Sequence, residues 1–170
     1  MTLVAPSRRC FLRDSAILSA GLLLPLRAFG DTHTKIQDAL ARSPLVYISP
    51  LKSDGNESRC HGEIWFVTEG DDVLVVTPPE RWRAACVSQG LDRARIWVGD
   101  FGPWKQSKGA FRNAPSYVAK ASLEADPSAH TRALAAFGKK YPDGWGEWGP
   151  RFTRGLASGE RVLVRYTQTT

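Results

Sequence analysis

Residues 59–77, RCHGEIWFVTEGDDVLVVT, decide the fold. The first half alternates. Cys60, Gly62, Ile64 and Phe66 fall on one face, and Arg59, His61, Glu63, Trp65 and Val67 on the other. That is the period of a half-buried strand. Residues 69–72, EGDD, are turn chemistry, and residues 72–77 form a continuous apolar run ended by Pro78 and Pro79. Two such runs joined by a tight acidic-glycine turn predict an antiparallel hairpin.

Working outward, THTKIQDALARS is helix-like, PLVYISPL is a short run of strand formers, and KSDGNES is a turn. Downstream, ERWRAACVSQG has helical spacing with Gly90 placed to stop it, and RARIWVG alternates again. FGPWKQSKGAFRNAP is a loop of glycines, cations and aromatics, and SYVAKASLEA is a weaker strand. A helix is expected to start at Asp126-Pro127-Ser128 and run to Tyr141. PDGWGEWGPRF is irregular, and ERVLVRYTQ is a closing strand. The pattern predicts a mainly β, α+β protein with about six antiparallel strands closed into a barrel and two or three flanking helices. No glycine-rich phosphate loop is present, which argues against dinucleotide-binding and nucleotide-hydrolysing folds. No strict nucleophile–base motif points to a hydrolase.

The amino-terminal stretch carries an address. Ser7-Arg8-Arg9-Cys10-Phe11-Leu12-Arg13 precedes an apolar run over 16–26 and the small residues Ala28 and Gly30. This order resembles the bacterial twin-arginine signal. It implies recognition of residues 1–30 by the twin-arginine translocase, export of the folded chain, and cleavage. A single domain, residues 31–170, then remains in the periplasm or outside the cell. The apolar run is too short for a permanent membrane anchor, which needs roughly twenty residues.

Four arginines and one aspartate in that leader contribute +3 of the formal +6, so the remainder carries +3. That is an ordinary surface and does not point to nucleic acid. The leader takes Cys10, leaving Cys60 and Cys86. An oxidising compartment permits one disulfide between them; the alternative is two small buried apolar side chains.

The stretch SRCHGEIWFVTEGDDVLVVTPPERWRAACVSQGLDRARIWVG resembles the core of the split-barrel flavin-binding families. These are the pyridoxamine-phosphate-oxidase-like proteins and the deazaflavin-dependent nitroreductase group. The matching pieces are Gly62 to Val67, Glu69 to Asp72, Val73 to Thr77, Arg81 to Gln89 and Arg93 to Gly99. The later KKYPDGW and RVLVRY extend the likeness, which covers roughly residues 44–168. The resemblance implies a homodimer that holds FMN or a deazaflavin in a groove and acts as an oxidoreductase on a small molecule. It implies a cofactor phosphate at Thr77, Arg81 and Arg83. Guanidinium groups and a helix start suit a phosphate there. The spaced arginine and lysine set of the phosphate oxidases is absent. The alternative is therefore a non-catalytic split barrel that binds a small ligand without flavin, or haem with His61 or His130 on the iron.

Two further groups bear on a site. His61 and Glu63, on one strand face with Trp65, either orient a substrate and move a proton or form an ion-paired surface. As metal ligands they lack a third partner, because His33 and His130 are remote in sequence. The chain has six tryptophans, and Trp82, Trp97, Trp104, Trp145 and Trp148 join Trp65 as core residues or walls for a planar ligand. Trp97, Trp104 and Lys105 are accordingly candidate cofactor contacts. Lys105, Lys108 and Arg112 form a basic loop, either solvated or facing an anion.

Overall fold

The computed structural model describes residues 27–169, with side chains from residue 32 onward. The twin-arginine motif lies outside the described residues. Helix α1 (Arg27–Arg42) already spans the boundary expected at Gly30.

Among the described residues seven strands form a single antiparallel sheet: β1 (Val46–Pro50), β2 (Gly62–Ile64), β3 (Val67–Glu69), β4 (Asp72–Thr77), β5 (Arg93–Val98), β6 (Ser116–Glu124) and β7 (Val162–Gln168). Their order is β2-β1-β5-β6-β7-β4-β3. The two edge strands, β2 and β3, are therefore separated in the chain only by Trp65 and Phe66. Two residues reach less than about 10 Å, so the sheet must curl until its edges nearly meet. The result is a split barrel whose seam is crossed by the stretch that opened the sequence analysis.

That crossing corrects the expected single strand. β3 and β4 do form the predicted hairpin, with Val67 opposite Leu74 and Glu69 opposite Asp72. β2 instead pairs with β1, Tyr47 opposite Glu63. Between them, Tyr141 supplies what a ladder would have supplied. Its hydroxyl accepts from the Phe66 N–H at 2.9 Å and lies 2.7 Å from the Phe66 carbonyl and 3.0 Å from that of Pro44. Buried backbone groups at the seam thus keep partners without a neighbouring strand.

The alternation survives the break. Phe66 fills the barrel interior with Val46, Ile48, Val75, Ile96 and Tyr166, and Ile64 packs against them. From α1, Ile36 and Leu40 close one side of this core. Val67 and Trp65 face outward, into a second apolar layer beneath the helices α3 (Pro127–Lys140) and α4 (Pro142–Ser158). A third cluster of Tyr47, Trp97 and Phe111 lies beneath the long loop, which contains a 3-10 turn at Ala110–Asn113.

Among the described residues four α-helices, where two or three were expected, flank the sheet; the fourth is α2 (Trp82–Ser88). The added one is α4, built on the segment expected to be irregular. Its glycines and Pro150 oppose a helix, which loses about 3 kcal/mol to an internal proline. Burial wins. Trp145, Trp148, Phe152 and Leu156 recur at helical spacing and pack on Phe137 and Tyr141. Deleting a buried ring of that size costs about 3–5 kcal/mol. Pro142 occupies the first turn, where its missing N–H has no consequence, and Asp126 caps α3 by accepting from the Ser128 N–H at 2.9 Å.

Cys60 and Cys86 are free thiols, Cys60 exposed and Cys86 half-buried. Burial pushes the Cys86 thiol above its ordinary value, and the neighbouring Cys60 adds to this. Among the described residues no helix is long and apolar enough to cross a membrane.

Candidate functional site

The end of β4 and the turn into α2 open onto a cleft of about 500 Å³. Ile64 and Trp65 reach it from the seam, Val76, Thr77 and Pro78 from β4, and Arg81, Trp82 and Arg83 from α2. Trp148 and Phe152 of α4 form the opposite wall, and Arg161 stands just before β7. The volume lies within the range of small-molecule sites.

Trp65 is rigidly placed. It stacks on Tyr141 at 4.4 Å with an interplanar angle of 4°, and Trp148 meets it edge-on at 6.4 Å. Gly144 leaves room for it, since a Cβ there would run into the indole ring.

Arg83 is the deepest of the cations. Its Nη2 donates to the Glu63 carbonyl at 3.1 Å, and its guanidinium lies 4.4 Å from the Trp82 ring centroid. Gly62 permits this approach, because a Cβ there would occupy the guanidinium's place. The buried Nε has no partner. Burial, and then the charge of Arg81, lower the Arg83 pKa, while Tyr166 and Glu63 raise it. The residues lining the cleft include no acid, so the arginine donors there border aromatic walls without a counter-charge among them. That donor set suits an anion attached to a planar ring.

The structure thus brings Thr77, Arg81 and Arg83 together and adds Trp65. It places the other candidates elsewhere. Trp97 is buried against Phe111, ring centroids 5.2 Å apart, and does not line the cleft. Trp104 and Lys105 also lie outside it. The Trp104 N–H donates to the Glu63 carboxylate at 3.0 Å, and the Lys105 ammonium sits 5.9 Å from the Trp104 ring centroid. Glu63 therefore touches both regions, by its carbonyl at Arg83 and by its carboxylate at Trp104.

His61 packs edge-on to Trp104 at 5.7 Å. Its Nε2 lies 3.3 Å from Nη2 of Arg112, which can only donate, so the ring accepts there and is neutral. Burial, and then Arg112, lower its pKa, against an opposing pull from Glu57. Arg112 is in turn ion-paired to Glu57, so the basic loop is partly neutralised. His130 donates from Nε2 to the Glu124 carbonyl at 2.8 Å, away from the cleft. Among the described residues no group of three or more His, Cys, Asp or Glu side chains is arranged to hold a metal ion.

The helix start expected at the phosphate is slight, because α2 has only seven residues. Phe152 and Arg161 were not anticipated. Phe152 belongs to the segment read as irregular. Arg161 joins the cleft only through the β4–β7 register, which sets Val162 opposite Thr77.

No protein-family model matches the chain, and no curated protein sequence matches it. Solved structures do. The heme storage protein HutZ of Vibrio cholerae is 14% identical over 81% of this chain and 89% of its own, with a TM-score of 0.54. A Listeria innocua protein, provisionally described as a pyridoxamine 5′-phosphate oxidase, is 16% identical over 81% of this chain and 94% of its own, with a TM-score of 0.52. A Campylobacter jejuni protein, ChuZ, is 12% identical over 83% of this chain and 54% of its own, with a TM-score of 0.56. At such identities the likeness establishes the split-barrel fold alone.

Proposed function

We propose that this chain binds a phosphorylated flavin or deazaflavin in the Trp65–Trp148 cleft and serves as a split-barrel oxidoreductase on a small molecule. The observation that carries the reading is the meeting of Thr77, Arg81 and Arg83 with tryptophan walls in a cleft without a carboxylate. Bound flavin supplies reversible hydride or electron acceptance. The chain's part is to hold the phosphate at Thr77, Arg81 and Arg83, stack the ring system against Trp65 and Trp148, and exclude water with Ile64, Val76 and Phe152.

Haem is the second reading, supported by the fold's likeness to a heme storage protein. The donor set of the cleft does not fit it: the lining residues include no His, Cys, Met or Tyr to take the iron. The proposed assembly is a homodimer, and the twin-arginine leader supports export to the periplasm.

The test is an absorption spectrum of the exported protein, followed by titration with FMN. Flavin or deazaflavin bands, or saturable quenching of tryptophan fluorescence by FMN, are expected. A Soret band, or no response to FMN, overturns the reading.

A further inference from the structure

We infer that Arg161 completes a three-arginine pole that selects a phosphate monoester dianion over an uncharged or singly charged ligand. The inference rests on the reading of the cleft as a flavin-type site and deepens it.

Three observations place Arg161 in the same cleft as Arg81 and Arg83. In the β4–β7 ladder Thr77 stands opposite Val162, so Arg161, one residue earlier, flanks Pro78 across the strands. Arg81 and Arg83 follow Thr77 along the chain on the other side. All of them line one cleft.

Arg161 is also held in place before any ligand arrives. Its backbone N–H donates to the Gly155 carbonyl at 2.9 Å. Its stem lies on Gly155, where a Cβ would come within 2.7 Å of Cγ and 2.8 Å of Cδ. Its guanidinium carbon is 5.8 Å from the Trp148 ring centroid and 5.4 Å from that of Phe152. Among the described residues it makes no ion pair with a carboxylate. A fixed guanidinium loses little conformational freedom when an anion binds.

Charge sets the ligand class. Among the described residues neither Arg81 nor Arg83 forms an ion pair with a carboxylate either, so three cationic groups line one cleft whose lining residues include no acid. A carboxylate would neutralise one of them. A phosphate monoester, with charge near −2 and three acceptor oxygens, can engage all three.

The test compares FMN with riboflavin, which has the same ring and no phosphate, on the wild-type protein, Arg161→Met and Arg161→Lys. Wild type is expected to bind FMN at least about tenfold more tightly than riboflavin. Arg161→Met keeps the packing on Trp148 and is expected to weaken FMN about tenfold while leaving riboflavin unchanged. Arg161→Lys is expected to recover part of the loss. Gly155→Ala, which pushes the stem aside without removing the charge, is expected to act in the same direction. Equal weakening of FMN and riboflavin would make Arg161 a packing residue and overturn this inference while leaving the flavin reading intact. An unchanged FMN affinity in Arg161→Met would do the same. Failure of wild type to bind either flavin would remove both.

Discussion

Two groups of arginines stand around strands β4 and β7, one toward the β3–β4 turn and one where β4 runs into α2, and the two ends treat them in opposite ways. At one end Arg165 reaches Asp72 at 2.8 Å, Glu69 at 2.6 Å and Glu124 at 2.9 Å, and Arg132 reaches Glu69 at 2.6 Å. At the other end stand Arg81, Arg83 and Arg161, with aromatic rings and a backbone carbonyl for company. Burial disfavours the Arg165 charge, yet its three carboxylate partners outweigh that and hold its pKa above the ordinary arginine value. Arg83, with burial and no carboxylate partner, is shifted the other way. An arginine network complete within the chain ties strands together. Guanidinium groups left without counter-charge are a site in waiting.

The largest effect expected from this contrast is on stability. Arg165→Met leaves Glu69, Asp72 and Glu124 facing one another. It is expected to lower the unfolding free energy by about 1–2 kcal/mol in a urea titration, between the scale of an exposed ion pair and that of a buried one. Flavin affinity of the folded variant is expected to be unchanged. The same network has a pH signature. Hydrogen bonds from Arg132 and Arg165 hold the Glu69 carboxyl below its ordinary value. A carboxylate depressed in the folded state stabilises above its unfolded pKa, and that stability is lost as pH falls through the folded value. The wild-type melting temperature is therefore expected to drop steeply below about pH 4, and that of Arg165→Met less so.

Arg83→Met sharpens the comparison from the other end. Removing a buried cation with an unpartnered Nε is expected to change stability by less than about 1 kcal/mol. It is expected to weaken FMN at least about tenfold, as the loss of a charge-assisted contact requires. Destabilisation comparable to that of Arg165→Met would mean that Arg83 is structural after all.

The smallest effect concerns Lys140. Its ammonium sits 3.2 Å from the Phe66 ring centroid, and burial brings its pKa down to about 8. A lysine depressed in the folded state holds fewer protons than in the unfolded chain between about pH 8 and 10.4, so its penalty is relieved as pH rises through that window. Burial holds the Tyr117, Tyr141 and Tyr166 hydroxyls above their ordinary values, which pulls the other way above about pH 10. The informative quantity is thus a difference. Wild type is expected to gain stability relative to Lys140→Met between pH 7.5 and pH 10. A constant gap would contradict the shift.

Much of the sheet was legible because its strands bury one face and expose the other. β5 follows the alternation, β4 is the continuous apolar run ended by Pro78, the β3–β4 hairpin forms at the acidic-glycine turn, and α3 begins at the Asp126 cap that its residues announce. The partner switch at Trp65–Phe66 was not legible. It preserves the parity of the alternation, and only Tyr141, far along the chain, satisfies the crossing. α4 was hidden by glycines and a proline that ordinarily break helices, and its tryptophans form a face only once α3 and β4 are beneath them. Thr77, Arg81 and Arg83 were singled out through the family resemblance, and their closeness in the chain lets them line one cleft. Arg161 was not, since its place depends on which strand pairs with β4. Trp97, Trp104 and Lys105 drew attention by composition, yet they pack around a different cluster.

The most direct measurement of the central claim is a thermal-shift titration of wild type, Arg83→Met and Arg165→Met with FMN. A ligand that binds only the folded state raises the melting temperature by an amount that grows with the logarithm of its concentration over its Kd. The account predicts a clear FMN shift for wild type, the same shift from a lower starting temperature for Arg165→Met, and a near-normal starting temperature with little shift for Arg83→Met. Equal shifts in all three proteins, or none in wild type, would contradict it.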